Sequence, residues 1–205
     1  MTSARRFLRR PAVILILLAL VFAGPPVAAW IVYANLDHWR PGTTNHGELI
    51  APPRPLEGFT LQRVDGTALD AAYLRGKWTL VYIGPADCAE ACRRAIYYMR
   101  QVRLALGQDA DRVQRLFVPA DPAQAAALRD FLEDYPGMTV ASGTEAELQE
   151  FLGRFIAAIG PRRAAPGRVY IVDPLGNLMM TYPPDAAPKG MLKDLQRLLR
   201  VSQVG

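Results

Sequence analysis

The two cysteines of this chain are spaced as a pair that can react with each other. Cys88 and Cys92 directly follow an apolar segment, residues 78–84, that has the pattern of a buried strand. The strand breaks at Gly84-Pro85, and we expect a helix to begin at Cys88 and to carry both thiols in its first turn. Residues four apart lie on one helix face with Cα atoms about 6 Å apart, a separation that a disulfide tolerates.

The expected position of this pair favours thiol chemistry. Free N–H groups and the dipole at a helix N-terminus lower the pKa of a thiol and raise its thiolate fraction. Two thiolates also suit a soft ion such as Cu(I). Arg93 and Arg94 would stabilise a thiolate, whereas Asp87 and Glu90 would oppose it. Three alternatives therefore stay open: a redox-active dithiol, a copper site, and a structural disulfide or buried core pair.

The N-terminal residues have the pattern of a membrane-spanning segment. Four arginines within residues 1–10 precede an uncharged apolar stretch, residues 11–34, which exceeds the roughly 20 residues that a membrane span needs. The positive-inside rule predicts a single-pass protein of the inner (cytoplasmic) membrane with its C-terminal domain in the periplasm. A signal peptide cleaved after Ala29 is the alternative. The apolar run continues through Tyr33, which favours a retained anchor.

Most of the basic excess lies in the N-terminal tail. The formal net charge of the chain is +5, but without the four tail arginines 20 basic side chains remain against 19 acidic ones. The exported part is therefore nearly neutral, and we expect no nucleic-acid partner. After the tail and the anchor, we expect a Pro/Gly-rich linker at residues 35–56 and one domain at residues 57–205, long enough for its own core.

The hydrophobic periodicity of the domain predicts an α/β, thioredoxin-like fold, with a central mixed sheet flanked by helices. It begins with a β-hairpin at residues 59–70 and the strand at 78–83. A Thr144–Glu147 capping box predicts the start of a helix over residues 145–159. The other expected elements are a helix from Cys88 to about Leu106, strands at 113–118 and 137–141, a helix opening at Asp121-Pro122, a hairpin at 167–182 and a helix at 189–199.

Several of these segments resemble, in chain order, the Sco/SenC proteins of cytochrome c oxidase assembly. The resemblance is carried by residues 76–84 with Cys88-x-x-x-Cys92, by 116–122, by 137–147 and by 170–176. It implies a membrane-tethered domain that handles copper, or reduces cysteines, for the dinuclear copper centre of the oxidase. The implied partners are the copper-bearing oxidase subunit or another copper chaperone, the membrane, and a thiol reductant.

The chain departs from this family at a copper ligand. Sco proteins that bind copper add to their two cysteines a histidine shortly before the strand that enters the Asp-Pro-x-Gly turn, and residues 160–168 contain none. His38 and His46 both lie in the expected linker, where a histidine is usually solvated. His46 is a third-ligand candidate only if its segment folds back on the domain.

Five other residues are secondary candidates near the site. Met138, Met179 and Met180 carry thioether groups that suit Cu(I), although strand methionines usually fill the core. A cis peptide bond at Pro166 would mark a substrate-binding edge, whereas a trans bond would make it an ordinary loop proline. Tyr82 either faces the cysteines from its strand or packs away from them.

The missing histidine favours thiol–disulfide exchange, which requires no cofactor. In this hypothesis Cys88 attacks a partner disulfide and Cys92 resolves the mixed disulfide. The first alternative is a copper-binding chaperone that uses the same cysteines, because two thiolates hold Cu(I) without a histidine. The second is a non-catalytic scaffold whose disulfide is permanent.

Overall fold

The computed structural model describes residues 11–35, 44–85, 88–121 and 134–202. They fall into two units that divide between Thr44 and Asn45. In the first unit, helix α1 (Pro11–Ala34) is long and apolar enough to cross a membrane, a property that signal sequences share. The second unit contains the folded domain.

The described part of the domain contains eight strands, which form one sheet. Its order is β1-β8-β7-β4-β5-β6-β2-β3. The neighbours β4, β5 and β6 run parallel, and the other neighbouring pairs are antiparallel. The strands are β1 (Glu48–Pro55), β2 (Thr60–Arg63), β3 (Ala68–Asp70), β4 (Trp78–Gly84), β5 (Val113–Pro119), β6 (Met138–Ser142), β7 (Val169–Val172) and β8 (Asn177–Tyr182).

Helices and two hydrophobic clusters complete the domain. The helices are α2 (Glu90–Ala105), a 3₁₀ helix (Gly107–Arg112), α3 (Glu145–Ile159) and α4 (Pro188–Val201). Helices α2 and α4 contact each other, and their apolar faces form one cluster with Leu80 and Tyr82 of β4. The alternate β4 residues, Val81 and Ile83, join the cluster that contains Phe151 of α3. This arrangement confirms the predicted mixed sheet flanked by helices.

Helix α3 begins where its capping box predicted. The Thr144 hydroxyl accepts a hydrogen bond from the Glu147 N–H, and the Glu147 carboxylate accepts one from the Thr144 N–H. Strand β4 is buried at all seven positions because it lies between β5 and β7 with apolar layers on both faces.

The start of helix α2 differs from the expectation. Cys92 lies in its first turn, but Cys88 precedes the helix, which begins at Glu90. Cys88 has a φ of 29°, in the left-handed region that a right-handed helix excludes. The prediction that both thiols lie in the first turn is therefore wrong for Cys88. The helix expected to open at Asp121-Pro122 lies outside the described residues beyond Asp121.

The second half of the expected linker belongs to the sheet. Strand β1 pairs antiparallel with β8, with a register shift between Leu49 and Arg54. Pro52, Pro53 and Pro55 fit in β1 because it is an edge strand, where a missing N–H donor leaves no ladder partner unpaired. The linker assignment is corrected for these residues, and the folded unit begins at Asn45 rather than at residue 57.

Candidate redox site

Cys88 and Cys92 form a disulfide at the junction of β4 and α2. Their Cα atoms lie 5.0 Å apart. Both residues are buried, each with 3% of its surface exposed, and both belong to the hydrophobic cluster beneath α2 and α4. The pair is thus close enough to close, as its spacing predicted, and its closed form is shielded from solvent.

The backbone around this disulfide is fixed by close packing and by two neighbouring loops. The Tyr82 ring covers Gly84, where an added Cβ would lie 2.5 Å from a ring carbon, so β4 requires glycine there. The Ala120 N–H donates to the Gly84 carbonyl at 2.9 Å, and the Gly167 N–H donates to the Ile83 carbonyl at 2.7 Å. The ends of β4 and β5 and the loop before β7 therefore meet beside the cysteine turn.

Arg93 contacts the cysteine turn directly. Its Nε donates to the Cys88 carbonyl oxygen at 3.0 Å, so this side chain reaches from α2 back over the loop that precedes the helix. Glu90 lies in the first turn of α2, and Arg94 is exposed on the same helix. Asp87 lies outside the described residues. Because Cys92 is the third residue of α2, the helix N-terminus acts more directly on Cys92 than on Cys88.

Tyr82 and the methionines belong to, or pack against, the same hydrophobic cluster as the pair. Tyr82 belongs to the same cluster as the cysteines, with its ring centroid 5.4 Å from that of Phe117, and burial raises the pKa of its hydroxyl. Met180 is buried, and its Sδ lies 2.9 Å from the Tyr182 hydroxyl oxygen. Met138 and Met179 are partly buried against the same cluster. These contacts are those of core-filling methionines.

The segment of His46 folds back on the domain, but it binds Asp194 instead of joining the cysteines. The His46 Nδ1 lies 3.1 Å from one carboxylate oxygen of Asp194, and the His46 N–H donates to the other at 2.8 Å. Among the described residues, no group of three His, Cys, Asp or Glu side chains is placed to hold a metal ion. His46 therefore does not complete a site with Cys88 and Cys92, and His38 lies outside the described residues.

Asp194 is the residue of this region that the sequence analysis missed. Its carboxylate is buried on α4 and also accepts hydrogen bonds from the Gly47 N–H and the Tyr182 hydroxyl, both at 2.9 Å. Burial raises the pKa of Asp194, but the bonds from Gly47, His46 and Tyr182 outweigh it, so the pKa lies below its usual value. Burial and the Asp194 charge raise the pKa of Tyr182. The sequence signal that could have identified Asp194 is a carboxylate on the apolar face of α4, three residues after Met191.

Arginines occupy the loop, within residues 160–168, in which the family resemblance implies a histidine. Arg163 and Arg168 both bind Glu48 of β1, with nitrogen–oxygen distances of 3.1 and 2.6 Å. Burial raises the pKa of Glu48, but the two arginines outweigh it and lower the pKa overall. The peptide bond before Pro166 is trans, so Pro166 is an ordinary loop proline. The salt bridges from Arg163 and Arg168 to Glu48 hold this loop against the edge strand β1.

Comparisons with known proteins place these features in a family context. Residues 78–202 match the family model described as "Transmembrane-like, thioredoxin-like, C-terminal domain". The protein SCO2, mitochondrial, of Saccharomyces cerevisiae is 25% identical over 123 residues, which cover 56% of this chain and 40% of that relative. The chain thus spans less than half the length of this relative.

Two solved structures share the fold. The copper-bound ScoI of Bradyrhizobium japonicum is 24% identical with a TM-score of 0.56, and the match covers 69% of this chain and 98% of that one. The second structure is that of BsSco, a member of the Sco family of cytochrome c oxidase assembly proteins in which a disulfide switch has been identified. It is 20% identical with a TM-score of 0.58, and the match covers 76% of this chain and all of that one. These matches confirm the expected resemblance to Sco/SenC proteins.

Proposed function

Because the chain belongs to the family of transmembrane-like, thioredoxin-like C-terminal domains, we propose that it is a membrane-anchored thiol–disulfide reductase in cytochrome c oxidase assembly. Its substrate in this proposal is a disulfide of the copper-bearing oxidase subunit or of another copper chaperone. The observation that carries the proposal is the Cys88–Cys92 disulfide between β4 and α2. The disulfide switch named for BsSco, a structure of the same fold, supports it.

The reaction transfers two electrons through the cysteine pair. In the reduced protein, the Cys88 thiolate attacks a partner disulfide, forms a mixed disulfide and releases one partner thiolate. Cys92 then attacks the Cys88 sulfur, which closes the internal disulfide and releases the second partner thiol. A dithiol reductant restores the pair and leaves as a disulfide. Burial does not distinguish the two cysteines, because both are equally buried in the closed form. We assign the attack to Cys88 because it lies in the loop outside α2.

Redox titration tests this proposal directly. The full chain in detergent is equilibrated with glutathione buffers, and the fractions of dithiol and disulfide are measured after thiol trapping. We expect a reduction potential above about −300 mV, because structural disulfides lie below that value. Cys92→Ser should trap a mixed disulfide with an oxidised partner, and Cys88→Ser should not. A potential below that limit would identify a structural disulfide and a scaffold role.

Copper binding is the second candidate function. The copper-bound ScoI shares this fold, and the reduced pair offers two soft thiolates for Cu(I) as cargo. Incubation of the reduced full chain with Cu(I) and a competing chelator separates the two functions. We expect copper to be lost to the chelator, whereas retention of one equivalent that Cys88→Ser abolishes would identify a metallochaperone. His46→Ala should leave the result unchanged, because Asp194 already binds His46.

The proposed location is the inner membrane, with the domain on the periplasmic side. The support is helix α1, whose length and composition suit a single membrane span. We expect the protein to sediment with membranes and its domain to be digested when protease is added to spheroplasts. The mass of the purified protein separates a retained anchor from a signal peptide cleaved after Ala29, and protection of the domain from protease would reverse the orientation.

A further inference from the structure

The cysteine turn contains a backbone conformation that needs support. Cys88 has a φ of 29° although it is not glycine. In this region the Cβ atom of an L-residue crowds the backbone, so the conformation persists only where surrounding contacts hold it. The required glycine at position 84 lies four residues before Cys88, so it does not relieve the crowding of the Cys88 Cβ atom against the backbone.

Among the described residues, two bonds to Cys88 support this conformation, in addition to its packing in the hydrophobic cluster. One is the disulfide to Cys92, and the other is the hydrogen bond from Arg93 Nε to the Cys88 carbonyl oxygen at 3.0 Å. Arg93 is well anchored for this role, because its own N–H donates to the Ala89 carbonyl in the first turn of α2. Because its donor is a guanidinium group, this is a charge-assisted bond.

Reduction removes one of these two supports. When a dithiol donates two electrons and two protons, the sulfur–sulfur bond breaks and Cys88 is released from Cys92. Cys88 can then leave the left-handed region, and its carbonyl moves away from Arg93. The hydrogen bond would therefore exist mainly in the disulfide form, and an interaction confined to one form shifts the equilibrium between the two.

We propose that Arg93 is a positioning residue that favours the disulfide form, by holding the Cys88 carbonyl in the turn that the closed pair requires. This inference rests on the proposed thiol–disulfide function, since it concerns the equilibrium between the dithiol and disulfide forms of that same pair. Arg93 acts through the backbone of Cys88.

The matched variants are Arg93→Met and Arg94→Met. Both remove one positive charge and all side-chain N–H donors, and both side chains are exposed on α2, so the core is unaffected. Full-length wild type and variants in detergent are equilibrated with dithiothreitol at fixed ratios of its reduced and oxidised forms. The fractions of protein dithiol and disulfide are then measured after acid quenching and thiol labelling.

We expect Arg93→Met to shift the equilibrium about tenfold towards the dithiol, which corresponds to a rise in reduction potential of about 30 mV. Arg94→Met should shift it less than twofold. Equal shifts in both variants would show that general charge, not the bond to Cys88, sets the equilibrium. No shift in either would show that the bond survives reduction, and a shift of Arg93→Met towards the disulfide would show that its charge acts mainly by stabilising the thiolate. Each of these results overturns the proposal.

The reference dithiol keeps this test separate from the proposed function. Dithiothreitol is a strong reductant, so the ratio between variants is measurable even if the wild-type potential lies below −300 mV and the reductase function fails. Conversely, a wild-type potential above that limit with no effect of Arg93→Met retains the reductase function and removes the role of Arg93.

Discussion

At the scale of single residues, the buried Asp194 carboxylate is held by four hydrogen bonds. It accepts hydrogen bonds from two backbone N–H groups of the N-terminal segment, from the Tyr182 hydroxyl and from the His46 ring. A buried carboxylate is stable only when such donors replace its hydration. Asp194 therefore fixes the residues that lead into β1 against helix α4.

The substitution Asp194→Asn tests this role. It keeps the shape of the side chain but removes the charge and one acceptor, so we expect the free energy of unfolding at pH 7 to fall by about 1–3 kcal/mol. The pKa of Asp194 is lower in the folded protein, so its stabilisation is complete above the ordinary value of 3.8 and is lost as the pH falls through the folded pKa.

Urea unfolding between pH 3 and pH 7 provides the measurement. We expect the difference in stability between wild type and Asp194→Asn to narrow below pH 3.8. Asp185→Asn removes an exposed carboxylate from a cleft that His46 and Tyr182 also line, and serves as the control, with little expected effect at any pH. A difference for Asp194→Asn that is constant over the whole range would contradict the assigned role.

The structure also shows why residue patterns predicted only part of the site. The closeness of Cys88 and Cys92 followed from their spacing, because only short-range geometry is involved. The left-handed conformation of Cys88 did not, since it depends on the closed disulfide and on Arg93. The partner of His46 lies 148 residues away in the sequence, and no local pattern connects His46 with Asp194.

At the scale of elements, helix α4 and the N-terminal segment fit together through glycine. A Cβ added at Gly190 would lie 2.8 Å from the Cβ of His46. A Cβ added at Gly47 would lie 2.7 Å from the Tyr182 ring. The close approach of the segment to α4 and β8 therefore depends on the absence of side chains at both positions.

Gly190→Ala should destabilise the protein although alanine is the better helix former. We expect a loss of about 1–3 kcal/mol from the steric conflict with His46, and faster amide hydrogen exchange at His46 and Gly47. Gly153→Ala in α3 is the matched control. A Cβ there meets nothing within 4 Å, so a gain of up to about 1 kcal/mol is expected. Similar gains in the free energy of unfolding for both variants would mean that the segment of His46 and Gly47 moves away from α4 without loss of stability.

A third prediction concerns the capping box of α3. Thr144→Ala removes the acceptor of the Glu147 N–H bond and should lower the free energy of unfolding by about 1 kcal/mol. Thr144→Ser keeps the hydroxyl and should restore nearly all of this loss in the same denaturant titration. An unchanged stability of Thr144→Ala would show that solvent replaces the cap.

The sequence predicted elements well where local signals agreed. The start of α3 follows from its capping box, and β4 follows from an unbroken apolar run. Strand β1 was missed because its three prolines favour an extended linker, and only the free edge beside β8 makes them acceptable in a sheet. A sheet edge is a property of the assembled fold, which a local pattern does not contain.

At the scale of the whole molecule, the domain should remain folded through a redox cycle. Its two hydrophobic clusters line both faces of the sheet, whereas the disulfide closes a loop of only a few residues. The chain-entropy model gives about 2 kcal/mol for so short a loop. Most of the stability of the domain therefore comes from the sheet and the clusters.

Thermal unfolding with and without reductant tests this distribution of stability. We expect the reduced protein to unfold cooperatively at a somewhat lower temperature, with unchanged far-ultraviolet circular dichroism before the transition. The double variant Cys88→Ser/Cys92→Ser should respond to reductant no more than the buffer baseline does. Unfolding of the wild type on reduction at room temperature would show that the folded state depends on the disulfide.

The prolines of β1 have a further consequence for a protein held at a surface. Molecules confined to two dimensions collide often, and open sheet edges that meet can join strand to strand into aggregates. One edge of this sheet is β1, with prolines at three of its eight positions, and the other is β3, only three residues long. Neither edge offers a long row of hydrogen-bonding groups to a second copy. The same residues that complete the sheet thus protect crowded copies from polymerising.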